Sequence, residues 1–260
     1  MSASMSRTRL LAAVAAAATV AGGTAAGLTV ALRHHGAAPV ALHHGGSTPT
    51  PSPLPTDSPT PAATPLWTPG EPLPRTLQAS LDLRAASADV PLRFQAPSIG
   101  VDVPVLGVGL TTGNAVDAPK GPASSPVWDE GFWYRGSAEP GQPGVFALAG
   151  HVDRVGGGAA AFARLHDIKV GDVVSVVDER TGTVWQYRIT DTASFDMNNL
   201  GNSDVLSRIY GPDVARGEPP AVPADMVARI SILTCAGTWT GTQYDHRFVA
   251  FGELIAPGSA

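Results

Sequence analysis

Cys235 ends the apolar run Met226 to Thr234, where a strand would deliver its thiol to the edge of a sheet. It is the single cysteine of the chain, so no internal disulfide forms; in an exported protein an unpaired thiol points to intermolecular pairing or to a reactive group. A nucleophilic thiol needs a neighbour that favours the thiolate or shuttles protons, and histidine is the usual one. Beyond residue 44 there are three histidines: His151, His166 and His246. His151 follows Gly150 after the apolar run Val145 to Ala149, a strand end where a β scaffold displays catalytic side chains. His246, in the last loop after Tyr244-Asp245, is close enough in sequence to Cys235 to compete for the role. His166, beside Leu165 in an expected short helix, reads as a surface residue. Arg247 stands twelve residues after Cys235 at the start of another strand-like run. By itself it reads as a strand-terminal surface charge; beside a thiol it would lower the thiol pKa. With ordinary values of about 8.5 for cysteine and about 6.5 for histidine, on the order of 1% of molecules at pH 7 carry thiolate and imidazolium together.

The elements that must position these groups are short. From Val90 onward, apolar runs of strand length alternate with turn signals, and long amphipathic helical patterns are absent, which predicts an all-β barrel or sandwich. Strands are expected at Leu92–Phe94, Val101–Leu106, Val145–Ala149, Val173–Val177, Val184–Ile189, Ala228–Cys235 and Arg247–Leu254, with a hairpin loop at Asp178–Gly182. Short helices are expected near Ala159–Leu165 and Asp204–Ile209.

Upstream, the composition changes twice. Leu10 to Leu32 carries no charge and is flanked by Arg7, Arg9 and Arg33. At about 1.5 Å per residue it just crosses a bilayer core of about 30 Å, so residues 1–33 are expected to form a signal anchor, the alternative being a cleaved signal peptide. The flanking arginines would keep the N-terminus cytoplasmic and place the rest outside the cell membrane. Residues 34–88 are rich in Pro, Thr, Ser and Ala, as in Thr48-Pro49-Thr50-Pro51, and are expected to form a disordered, polyproline-like linker reaching up to about 150 Å. His34, His35, His43 and His44 fall in or beside this linker and read as solvated rather than metal-binding. That leaves residues 89–257 as the folded domain. A net charge of −5 and the lack of any Lys/Arg cluster argue against nucleic acid as a partner. Acidic residues such as Asp153 and Asp172 are not gathered into a dense Asp/Asn loop, so neither metal nor cofactor is expected.

Taken together, Leu148-Ala149-Gly150-His151, Ile232-Leu233-Thr234-Cys235 and Arg247 resemble, in order and setting, the sortases, membrane-anchored cysteine transpeptidases of Gram-positive bacteria. Ala96 to Val105, Pro140 to Gly144, Phe162 to Leu165 and Val170 to Val173 extend the resemblance from about Phe94 to Leu254. Ser231-Ile232 departs from the family's Thr-Leu before x-Thr-Cys, and Ala236-Gly237 with the Tyr244 to Phe251 segment looks most like actinobacterial class F members.

The resemblance implies an eight-stranded β-barrel with short helices. It implies that Cys235 attacks an LPXTG-like sorting signal between Thr and Gly, that His151 acts as acid and then base, and that Arg247 stabilises the carbonyl oxygen, with Thr234 as a nearby substrate contact. The implied partners are proteins bearing that C-terminal signal and an amine, such as a peptidoglycan precursor. The order His before Cys is the reverse of papain-like and cell-wall peptidases, and the tight Ser-His-Gly-Cys-x-Arg cluster of L,D-transpeptidases is missing. From a different class, the alternative is a non-catalytic cell-surface binding module in which Cys235 is a small buried hydrophobe.

Overall fold

The structure, a computed structural model, describes residues 67–77, 79, 82–112 and 115–259. The expected anchor over 1–33 and most of the expected linker lie outside the described residues. Among the described residues no helix is long and apolar enough to cross a membrane.

Eight strands run in chain order: β1 (Ala88–Ala96), β2 (Val101–Val108), β3 (Gly131–Tyr134), β4 (Gly144–Gly150), β5 (Val173–Asp178), β6 (Thr183–Asp196), β7 (Ala228–Trp239) and β8 (Tyr244–Ser259). They close into a barrel in the order β1-β2-β3-β4-β7-β8-β6-β5. Alternation fills the interior: Leu92 and Phe94 of β1, Val103 and Val105 of β2, and Val174 and Val176 of β5 point inward, while Arg93, Gln95 and Asp102 do not. Each such Val, Leu or Phe contributes about 1.5–3 kcal/mol by leaving water.

In β4 and β7 both faces are buried. Phe146, Leu148, Ile230 and Ile232 face the barrel interior, whereas Ala147, Ala149 and Leu233 join a second apolar cluster outside it. This accounts for their continuous apolar sequences. The pair is parallel, so the chain must cross over between them, and it does so through β5, β6 and two short helices, α1 (Ser203–Tyr210) and α2 (Pro212–Ala215). Asn202 caps α1 by accepting from the Asp204 amide at 2.8 Å. Leu206 and Ile209 of α1 lie in the outer cluster, and the Ser231 hydroxyl of β7 donates to the Ile209 carbonyl at 2.6 Å.

Three features differ from expectation. The helix expected near Ala159–Leu165 is instead a series of turns followed by one 3-10 turn, Leu165–Asp167. Here the Ala161 amide donates to the Trp128 carbonyl and the Phe162 amide to the His151 carbonyl, so tertiary partners take the N–H groups a helix would use. The fully buried Phe162 ring stacks on Phe94 with centroids 5.8 Å apart. Strand β3 was not expected at all: Gly-Phe-Trp-Tyr is four residues long and buried throughout, so it shows no alternation.

The expected linker also ends earlier than residue 88. Leu73 and Leu77 are buried, and Arg75 donates to the carbonyls of Ser137 (3.0 Å) and Arg135 (2.6 Å). The Glu139 carboxylate accepts from the Thr76 and Leu77 amides and from the Thr76 hydroxyl. Residues 67–77 therefore form an arm on the barrel, held by side chains rather than by a long strand ladder.

Candidate active site

Antiparallel pairing of β7 with β8 sets Cys235 directly opposite Arg247. Residues opposite one another in such a pair share a face, here the outer face that also carries Leu233, Val249 and Phe251. Parallel pairing of β4 with β7 matches Ala149 to Leu233, and His151 follows the end of β4 by one residue, so that register continued past the strand would set it level with Cys235. Gly150, just before His151, packs directly against Phe162: a Cβ there would run into its ring. Of the three groups singled out from sequence, Cys235 and Arg247 are thus paired across β7 and β8, and His151 stands just past the end of the adjoining strand β4.

His151 is packed between aromatic rings, 4.7 Å from Trp128 and 5.1 Å from Phe132 by centroid. Its Nε2 lies 2.7 Å from the Pro119 carbonyl, in the segment joining β2 to β3. A carbonyl only accepts, so Nε2 carries the proton and Nδ1 is the free acceptor of the neutral ring. Burial pulls the imidazole below its usual pKa and Lys120 adds to this, while the Pro119 bond and Asp153 oppose it. Burial pushes the Cys235 thiol up and Asp153 adds to this, while Arg247 and Lys120 pull it down. Both dominant effects favour the neutral thiol and imidazole, so the thiolate–imidazolium pair is rarer still than ordinary values give.

Arg247 donates through one terminal nitrogen to the carbonyls of His246 (2.8 Å) and Tyr244 (3.2 Å). Its charge is felt by both Cys235 and Tyr210. Cys235, His151 and Arg247 are 8%, 6% and 0% exposed, so all three are buried. Leu110 and Val116 from the β2–β3 segment, together with Leu206 of α1, belong to the cluster on that face.

The remaining candidates separate cleanly. His246 follows Ala236 in pairing register, one position off from Cys235, and so projects from the other face; its Nδ1 lies 2.7 Å from Asp245 Oδ1. His166 is exposed beside Asp167. Thr234 also alternates away from Cys235, and its buried hydroxyl donates to the Gly150 carbonyl at 2.9 Å. That bond holds the end of β4, one residue before His151. Among the described residues no group of three or more His, Cys, Asp or Glu side chains is placed to hold a metal. Missed from sequence were Pro119, Lys120, Asp153 and Tyr244; for Asp153 the available signal was its position two residues after His151.

Residues 94–255 match the family model described as the sortase domain. The chain belongs to the sortase family. It is therefore a transpeptidase of a family that works through a cysteine, and its matched span contains His151, Cys235 and Arg247. No curated protein matches the chain. Solved structures similar to this sortase include sortase A from Listeria monocytogenes, at 23% identity over 66% of this chain and 92% of that one, with a TM-score of 0.44. A lid mutant of sortase A from Corynebacterium diphtheriae is 16% identical over 67% and 74%, with a TM-score of 0.45. Sortase C-1 from Actinomyces oris is 20% identical over 64% and 73%, with a TM-score of 0.43.

Proposed function

We propose that this sortase is a membrane-anchored enzyme, most like class F of actinobacteria, that joins proteins bearing an LPXTG-like signal to an amine outside the cell. The observation that carries the chemistry is the pairing of Cys235 with Arg247, with His151 just past the end of the adjoining strand β4. The Cys235 thiolate attacks the Thr carbonyl carbon of the signal; the C–N bond to Gly breaks, and His151 gives its proton to the departing nitrogen. The incoming amine then attacks the thioester and loses a proton to His151, and the C–S bond breaks to return the thiolate. Arg247, held by two backbone carbonyls, stabilises negative charge on the carbonyl oxygen as each tetrahedral intermediate forms. A peptidoglycan precursor supplies the amine in this scheme, which attaches the substrate protein to the cell wall.

The test is mass spectrometry of the full chain incubated with an LPXTG-like peptide and excess small amine, beside Cys235→Ala. Cleavage between Thr and Gly with the amine appended, lost in the variant, is the expected result. A Cys235 that neither forms an acyl-enzyme nor reacts with a small thiol reagent would instead favour the non-catalytic binding module.

A further inference from the structure

The loop after His151 and the strand bearing Arg247 are joined by one side-chain bond. Tyr244 opens β8, and its hydroxyl donates to Asp153 Oδ2 at 2.8 Å. Asp153 follows His151 by two residues, in a segment closed by the isolated bridge between Asp153 and Ala159. The carbonyl of the same Tyr244 accepts from Arg247, and its ring meets Trp239 edge-on with centroids 5.4 Å apart. From His151 through Asp153 and Tyr244 to Arg247, the connection runs around the site that holds Cys235.

We infer that Asp153 and Tyr244 are a positioning pair, a role that rests on the transpeptidase function proposed above. Tyr244 holds the Asp153 carboxylate in place, which ties the His151 loop to the β7–β8 pair and keeps a negative charge beside the catalytic groups. The charges facing Cys235 are Arg247, Asp153 and Lys120, and those facing His151 are Lys120 and Asp153. Asp153 thus favours the imidazolium that must protonate the leaving nitrogen and opposes the thiolate, whereas Arg247 and Lys120 favour the thiolate. Tyr244 serves as the fixed donor because a phenol keeps its proton at neutral pH; burial, reinforced by Asp153, pushes its pKa further up, to about 12.

Two variants separate charge from tether. Asp153→Asn keeps an acceptor for the Tyr244 hydroxyl and removes the charge; Tyr244→Phe keeps the ring and removes the tether. In the full chain, the rate of Cys235 alkylation by iodoacetamide is followed against pH, and transpeptidation is measured with an LPXTG-like peptide. Asp153→Asn is expected to lower the alkylation midpoint by about half a unit, making alkylation about threefold faster below it, while kcat falls about tenfold with little change in KM. Tyr244→Phe should move the midpoint the same way by less, because the released carboxylate is screened by water, and the double variant should be no worse than the poorer single one.

A lower midpoint with the limiting alkylation rate at high pH unchanged separates removal of the charge from loosening of the fold, which would expose the buried thiol and raise that limiting rate as well. An unmoved midpoint in Asp153→Asn, with kcat within twofold of wild type, overturns the role. Should Tyr244→Phe fail to fold, the near-isosteric Asp153→Asn decides alone. Alkylation needs no sorting signal, so a wild-type chain inactive on every peptide would count against the proposed function while the midpoint still decides Asp153.

Discussion

Cys235 differs from an ordinary buried thiol in having a guanidinium across the strand pair and an imidazole at the end of the neighbouring strand, and each implies a measurable change. Arg247→Lys keeps the charge but loses the planar fork, so kcat/KM should fall by about 10²-fold or more, with KM changing less than kcat. Burial also links His151 to stability. Because the folded imidazole is held below its ordinary 6.5, the unfolded chain takes up a proton first. The stabilisation present above pH 6.5 is therefore lost as pH falls through the folded value. Melting temperatures followed from pH 7 to pH 5 should drop more steeply for wild type than for His151→Gln; parallel curves would mean that the ring titrates alike in the folded and unfolded chain.

The strand ends set the precision of the site. Gly150 lies against Phe162, and the Thr234 hydroxyl holds the Gly150 carbonyl, so the position of His151 depends on two contacts outside the reacting groups. Thr234→Val preserves shape but leaves that carbonyl without its side-chain donor; it should cost about 1 kcal/mol in urea unfolding and lower kcat without altering the alkylation midpoint of Cys235. Gly150→Ala should be worse, because the new methyl must displace the Phe162 ring from the barrel interior, at about 1–3 kcal/mol. Wild-type stability and turnover in Gly150→Ala would show that the ring has room to move. Neither dependence is visible in sequence: Gly150 and Phe162 are twelve residues apart, and a run of alanines before Phe162 suggests a helix until the Trp128 and His151 carbonyls claim the amides.

At the scale of the whole molecule, the barrel extends beyond the strands into the arm over residues 67–77. Burial of Leu73 and Leu77 contributes about 1.5–3 kcal/mol each, and Glu139 binds the arm's amides. A chain beginning at residue 89 should therefore melt several degrees below one beginning at residue 67, as differential scanning calorimetry would register; equal melting temperatures would mean that the arm contributes nothing net.

By itself the sequence determined that the domain is built from short alternating strands, that Cys235 is the one thiol available, and that His151 stands at a strand end; Arg247, expected to start its strand, lies inside β8, which begins at Tyr244. The first three are properties of residue type and near-neighbour spacing, and period-two alternation reports them directly. Tertiary structure alone decided the rest. Strand register set His246 on the face away from Cys235, and turned Thr234 inward to hold the Gly150 carbonyl. The aromatic strand β3 and the arm were hidden because a segment buried on all sides, or bound through proline-rich backbone to distant side chains, carries no periodic signal. Asp153 and Tyr244, ninety-one residues apart, meet only because barrel closure brings their loops to one end, and no local rule of sequence contains that closure.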